Sequence, residues 1–167
     1  STNKKRASFV KYFEKYEKTK AKWSNYSGAL KYLKLFAPED IQFKQINKAW
    51  LNSLSEYLSA KETKLHKNTA FVYFRKIKEV LYKASQDGFI KAETVRQAKA
   101  PQKERVERGY LELKEIQKLI DTPSDRPEIS RAFLFSCFTG LRQSDVKNLL
   151  WKNIVDNKIQ IEQQKTK

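Results

Sequence analysis

The chain has 167 residues, 40% hydrophobic and 13% aromatic, which is enough apolar material for a core and too much for a disordered tail. Its formal charge is +16. It lacks any apolar run near the ~20 residues a bilayer span requires, and a single cysteine and a single histidine exclude a disulfide framework or a Cys/His metal centre.

The charge is uneven. Residues 1–100 hold 22 basic and 9 acidic residues, net +13, whereas 101–167 hold 13 and 10, net +3. Such a concentration is the footprint of a polyanion-binding surface. The competing readings are solvated lysines on a helical domain and, less well supported, an anionic membrane surface. Against the membrane stands the placing of the aromatics, which recur at core spacing and form no exposed band beside a basic face. Cys137 lies within an apolar run and is expected to be packed in a core, which fits a reducing cytoplasm. No Gly-rich phosphate loop is present. The absence of methionine suggests a processed chain or a piece of a longer one.

In chain order, Phe9, Phe13 and Tyr16, with Val10 and Tyr12, form a first helical stripe with lysines opposite. A second helix is predicted from near Ser24, with Tyr26, Leu30, Leu33 and Phe36 inward, ending before Pro38. Ile41 to Ile46 reads as an extended connector. Asn47 can cap a third helix carrying Trp50, Leu51, Leu54, Tyr57 and Leu58. The fourth begins at Asn68 or Thr69, buries Phe71, Phe74, Ile77, Leu81 and Ala84, and closes at Asp87-Gly88. Together these make a compact all-α module.

From Ala92 to Arg108 the apolar signal fades, and this stretch reads as a linker. Beyond it, helices are predicted over about 114–120, 127–138 and 143–151. An alternating run from Lys158 to Gln163 reads as a strand after an Asp156-Asn157 turn. With 58 residues from 110 onward, the second unit has material for only a thin core.

The most informative stretch is Phe133 to Asp145. It reads as a buried apolar helix that stops at Gly140 and delivers Arg142, with a carboxylate three residues later. A guanidinium is a planar fork that fits two phosphate oxygens at once. The duller reading makes Arg142 a helix-terminal cation and Asp145 its ordinary partner.

The basic four-helix module, the charged linker, Thr139-Gly140-Leu141-Arg142 with Asp145, and a strand carrying Lys165 together resemble the tyrosine recombinases, the phage-integrase family of site-specific DNA recombinases and transposon integrases. The resemblance implies a mainly α fold: a four-helix SAM-like core-binding domain over 1–93, a linker over 94–109, and over 110–167 the N-terminal part of an α+β catalytic domain with a small β-hairpin. It implies that Arg142 clamps the scissile phosphate, work of a kind that contributes ~3 kcal/mol per donor. Asp145 would hold that guanidinium. Lys165, with Lys167 as the alternative, would protonate the departing 5′ oxygen.

The family's His-x-x-Arg pair and nucleophilic tyrosine lie further along its chain. Here His66 is in the helical module and no tyrosine follows Tyr110, so this piece is expected not to cut DNA by itself. The expected activity of the whole protein is site-specific recombination through a 3′-phosphotyrosyl link, with a non-catalytic DNA-binding regulator or accessory factor as the alternative.

For DNA contact the candidates fall before and within the second and fourth helices. One group is Lys20, Lys22, Ser24 and Asn25; the other is Lys64, His66, Lys67, Asn68, Thr69, Tyr73 and Lys76. Helix N-termini bearing Asn, Thr and Lys offer donors to phosphates. The implied partners are double-stranded DNA and further copies of the chain, four at a synapse. The resemblance implies no cofactor, metal, small-molecule substrate or membrane, and a bacterial, nucleoid-associated cytoplasmic setting.

Overall fold

The computed structural model describes residues 2–21, 24–37 and 40–161. Among the described residues the chain is mostly helical with one small two-stranded sheet, and it divides into two compact units, Ser1–Val106 and Glu107–Lys167.

In the first unit the helices are α1 (Thr2–Lys5), α2 (Phe9–Glu17), α3 (Tyr26–Phe36), α4 (Lys48–Ser59), α5 (Lys67–Gln86) and α6 (Ala92–Arg96). The caps follow from short polar side chains at the turns. The Ser8 hydroxyl accepts from Lys11 N–H at 3.0 Å to start α2, and Asn47 Oδ1 accepts from Trp50 N–H at 2.9 Å to start α4. The start of α5 differs from the sequence reading: His66 is its cap, Nδ1 accepting from Asn68 N–H at 3.3 Å, and Asn68 and Thr69 already lie within the helix. At the other end Gly88, at φ +82°, takes the left-handed conformation that stops the helix.

The core is built from one face of each helix. Phe9 and Phe13 of α2, Leu33 of α3, Leu51, Leu54 and Leu58 of α4, and Phe74, Ile77 and Leu81 of α5 are fully buried. Each such side chain stabilises by roughly 1.5–3 kcal/mol. The connector 41–46 contributes too. Phe9 N–H donates to Ile41 O at 2.8 Å and Phe43 N–H to Ala7 O at 3.1 Å, which folds Phe43 inward against Phe9, Tyr12 and Phe89 at ring separations of 5.0–5.6 Å.

The sequence reading of 94–109 as linker misses part of this core. Val95 of α6 is fully buried, and Ala98 and Pro101 are buried as well. One apolar residue among charges gives no periodicity, yet a five-residue helix needs only one to dock.

The second unit holds α7 (Leu113–Asp121), α8 (Pro127–Thr139) and α9 (Gln143–Lys147), then β1 (Ile154–Val155) paired antiparallel with β2 (Lys158–Ile159). Pro127 opens α8 where its missing N–H costs nothing, and Gly140 at φ +69° closes it, its N–H donating to Ser136 O at 2.9 Å. Asp156 and Asn157 are both left-handed, at φ 50° and 55°, the conformation of a two-residue hairpin turn that suits Asp and Asn. The expected strand beyond Ile161 lies outside the described residues.

Two expectations fail here. No residue of α8 is buried, and Cys137 is exposed rather than packed. Among the described residues of this unit, α7, the short α9 and a two-residue hairpin supply too little surface to cover an apolar helix, and Phe133, Phe138 and Trp151 stay exposed with it.

Candidate nucleic-acid interface

Of the predicted contact residues, Lys20, Ser24 and Asn25 precede α3, Lys64 and His66 precede α5, and Lys67, Asn68, Thr69, Tyr73 and Lys76 lie in α5. These helices run antiparallel: Tyr26 meets Lys76 and Glu79, Gly28 meets Tyr73, and Tyr32 meets both Tyr73 and the Thr63 carbonyl. The close approach depends on Gly28, where a Cβ would lie 2.5 Å from the Tyr73 hydroxyl. Tyr73 is therefore set into α3, its ring 5.7 Å from that of Tyr32.

At one end of this face two ammonium groups share an aromatic platform. Lys20 Nζ lies 4.5 Å from the Tyr16 ring centroid and 5.8 Å from that of Tyr26, and Lys76 Nζ lies 4.4 Å from Tyr26. The Tyr16 and Tyr26 rings meet edge to face at 5.7 Å. A cation over a phenol ring is attracted by the ring quadrupole and loses side-chain freedom before any ligand arrives. Below the platform the Tyr26 hydroxyl donates to Glu79, and Lys76 donates to Glu79 at 3.0 Å. Burial works to raise the Glu79 carboxyl, but these two hydrogen bonds outweigh it and hold it below the usual carboxylate range; burial and the same hydrogen bond push the Tyr26 phenol up. Glu79 thus engages Lys76. Lys20 is exposed and, among the described residues, has no carboxylate within 4 Å. Asn25 is exposed and Ser24 half-buried at the start of α3; Lys22 lies outside the described residues.

At the other end, Lys64, His66 and Lys67 are exposed at the start of α5, with Lys64 in the left-handed conformation at φ 55°. Lys67 and Lys76, nine residues apart, are about 14 Å apart along the helix axis and on opposite sides of it. Thr69 is half-buried. Asn68 and Lys67 are both engaged with Glu104, the side chain of Lys67 reaching its carboxylate at 3.6 Å.

In the second unit, Arg142 precedes α9 in an extended conformation, and its side chain is exposed. The buried Asp145 carboxylate accepts from the Arg142 backbone N–H at 3.3 Å, so it fixes the main chain at Arg142; among the described residues it makes no ion pair with the guanidinium. Lys165 and Lys167 lie outside the described residues. Among the described residues there is no group of three or more His, Cys, Asp or Glu that could hold a metal, and no helix is long and apolar enough to cross a membrane.

Residues 7–100 match the phage integrase SAM-like domain. The chain belongs to that family. The match supports the tyrosine recombinase and integrase resemblance at the level of the helical domain. No curated protein and no solved structure matches the chain.

Within the SAM-like domain, sequence reasoning reached Lys20 and Lys76 but missed what holds them. Tyr16 and Tyr26 were legible only as core aromatics. The signal was there in part: Lys76 and Glu79 are three apart in α5, a spacing that places the pair on one helix face, whereas Lys20 lies beyond the end of α2. Nothing local points from Asn68 to Glu104, 36 residues away.

Proposed function

We propose that the chain grips duplex DNA with the α3–α5 face of its SAM-like domain, as the core-binding part of a tyrosine recombinase that performs site-specific recombination or integration. The observation that carries this is the pair of ammonium groups held over the Tyr26 ring with one carboxylate between them. Glu79 pairs with Lys76 alone, so the arrangement leaves uncompensated positive charge on an aromatic platform.

In this reading the 1–93 module, extended by α6, is the core-binding domain, and 110–167 opens the catalytic domain. The exposed Arg142 takes non-bridging oxygens of the scissile phosphate while Asp145 fixes its backbone, and Lys165, or Lys167, protonates the leaving 5′ oxygen. The tyrosine that forms the 3′-phosphotyrosyl bond comes from elsewhere in the recombinase, and tetrameric assembly on DNA follows from the same family reading. Fluorescence anisotropy with a labelled mixed-sequence duplex tests the proposal: binding at low salt that weakens steeply as salt rises is expected, and no binding at low salt overturns it.

A further inference from the structure

Asn68 stands among the expected DNA contacts, yet both ends of its side-chain amide are committed within the protein. Nδ2 donates to the Glu104 carbonyl and Oδ1 accepts from the Glu104 N–H, each at 2.9 Å. This is the bonding of a β-bridge with a side chain in place of one strand. The preceding residues are tied down as well. Lys78 Nζ donates to Ala98 O at 3.2 Å, the Lys99 N–H donates to Asn52 Oδ1 at 3.1 Å, and Pro101 is buried. Side chains from α4 and α5 thus strap down a segment with no regular structure of its own.

The strap ends by delivering the Glu104 carboxylate to Lys67, the first residue of α5, in the basic group formed with Lys64 and His66. The Lys67 and Glu104 side chains are 66% and 46% exposed, and an ion pair so open to water is weak. The main-chain clamp nevertheless keeps the carboxylate at high effective concentration. A weak anion held close is what an incoming phosphate can displace.

We infer that Glu104 is a built-in competitor for DNA: its carboxylate occupies at Lys67 the place of a backbone phosphate, and Asn68 is the positioning residue that keeps it there. This rests on the DNA-binding reading above. A neutral residue at 104 removes the competitor, and loss of Asn68 lets it leave. Both changes therefore tighten DNA binding, the opposite of what loss of an Asn68–DNA contact produces.

The test is anisotropy of a labelled mixed-sequence duplex with the full chain and its E104Q, N68A, K67A and K67A/E104Q variants at low salt. E104Q is expected to tighten binding roughly two- to fivefold, the range of one exposed ion pair, and N68A to act in the same direction. In the K67A background, E104Q is expected to change nothing. Equal tightening with and without Lys67 would reveal a general charge effect and overturn the inference, as would no change in E104Q or weaker binding by N68A. Absent salt-dependent binding by the unmodified chain, the DNA reading falls and takes this inference with it; binding that E104Q leaves unchanged sinks the inference alone. E104Q alters an exposed side chain, so its folding is not at risk.

Discussion

The Lys76 ammonium lies 4.4 Å from the centroid of the Tyr26 ring, while the hydroxyl of that ring donates to the carboxylate that Lys76 also reaches. One phenol thus orients a cation through its ring and its hydroxyl, which accepts from Lys76 at 3.3 Å, and an anion through the hydroxyl's proton. The ring and the hydroxyl can be separated experimentally. Tyr26→Phe keeps the ring beneath Lys76 and removes the hydroxyl's hydrogen bonds to Glu79 and from Lys76, so it is expected to lower stability by about 1.5–3 kcal/mol while DNA affinity stays near that of the unmodified chain. Tyr26→Leu removes the platform and is expected to weaken DNA binding as well. Chemical denaturation and duplex binding on the same samples check both.

Gly28 makes a second prediction. Alanine is normally favoured over glycine inside a helix by about 0.5–1 kcal/mol. At position 28 the new Cβ would meet the Tyr73 hydroxyl and ring carbons at 2.5–2.9 Å, so Gly28→Ala is expected to destabilise by about 1–3 kcal/mol and to push Tyr73 off Tyr32. In a Tyr73→Ala background the sign should reverse, since the obstruction is gone and the helix preference remains. Thermal melts of the four proteins give the answer.

Acid stability provides a third. Tyr12 donates to Asp87 at 2.6 Å and Lys83 pairs with it at 3.2 Å, and these contacts hold the Asp87 carboxyl below its ordinary value of 3.8. A carboxylate whose folded pKa is depressed contributes stability above its unfolded pKa and loses it as pH falls through the folded one. The chain should therefore weaken as pH drops below about 4, and Asp87→Asn should flatten that part of the profile. Denaturation midpoints between pH 2 and about 6 for both proteins test this.

Val95 tests where the SAM-like domain ends. Its side chain is fully buried, and truncation to alanine is expected to cost about 2 kcal/mol. A merely connecting segment would tolerate the change without a measurable shift in denaturation midpoint.

The contrast between α3 and α6 explains what could be read in the sequence. α3 repeats Tyr26, Leu30 and Leu33 at helical spacing, and Asn47 ahead of α4 carries a capping oxygen, so both elements were legible from local chemistry. α6 has one buried side chain among charges, and β1 has two residues. Neither is long enough to produce a period. The helical pattern of α8 was readable, and so was its stop at Gly140, but its burial was not. Burial belongs to the layer opposite, which no pattern within one helix encodes. The interface was legible as charge and illegible as geometry. Lys20 and Lys76 are visible as lysines, whereas their shared ring and the Asn68–Glu104 clamp exist only after the chain has brought distant positions together.

Arg142 bears on the catalytic reading. Its side chain is exposed and Asp145 holds only its backbone, so Arg142→Ala should leave the fold intact. In a recombinase with its catalytic domain complete, cleavage is expected to fall by about 10²–10³ while duplex affinity is largely kept. Affinity that collapses in step with cleavage would make Arg142 a structural or binding residue.

The salt dependence of duplex binding by the Lys20→Ala/Lys76→Ala variant reaches the central claim most directly. The two ammonium groups over Tyr26 less the Glu79 carboxylate leave one net positive charge to neutralise one phosphate, so the slope of log affinity against log salt should be shallower than that of the unmodified chain by ~0.9. An unchanged slope, with the variant folded, would mean that DNA does not lie on this face.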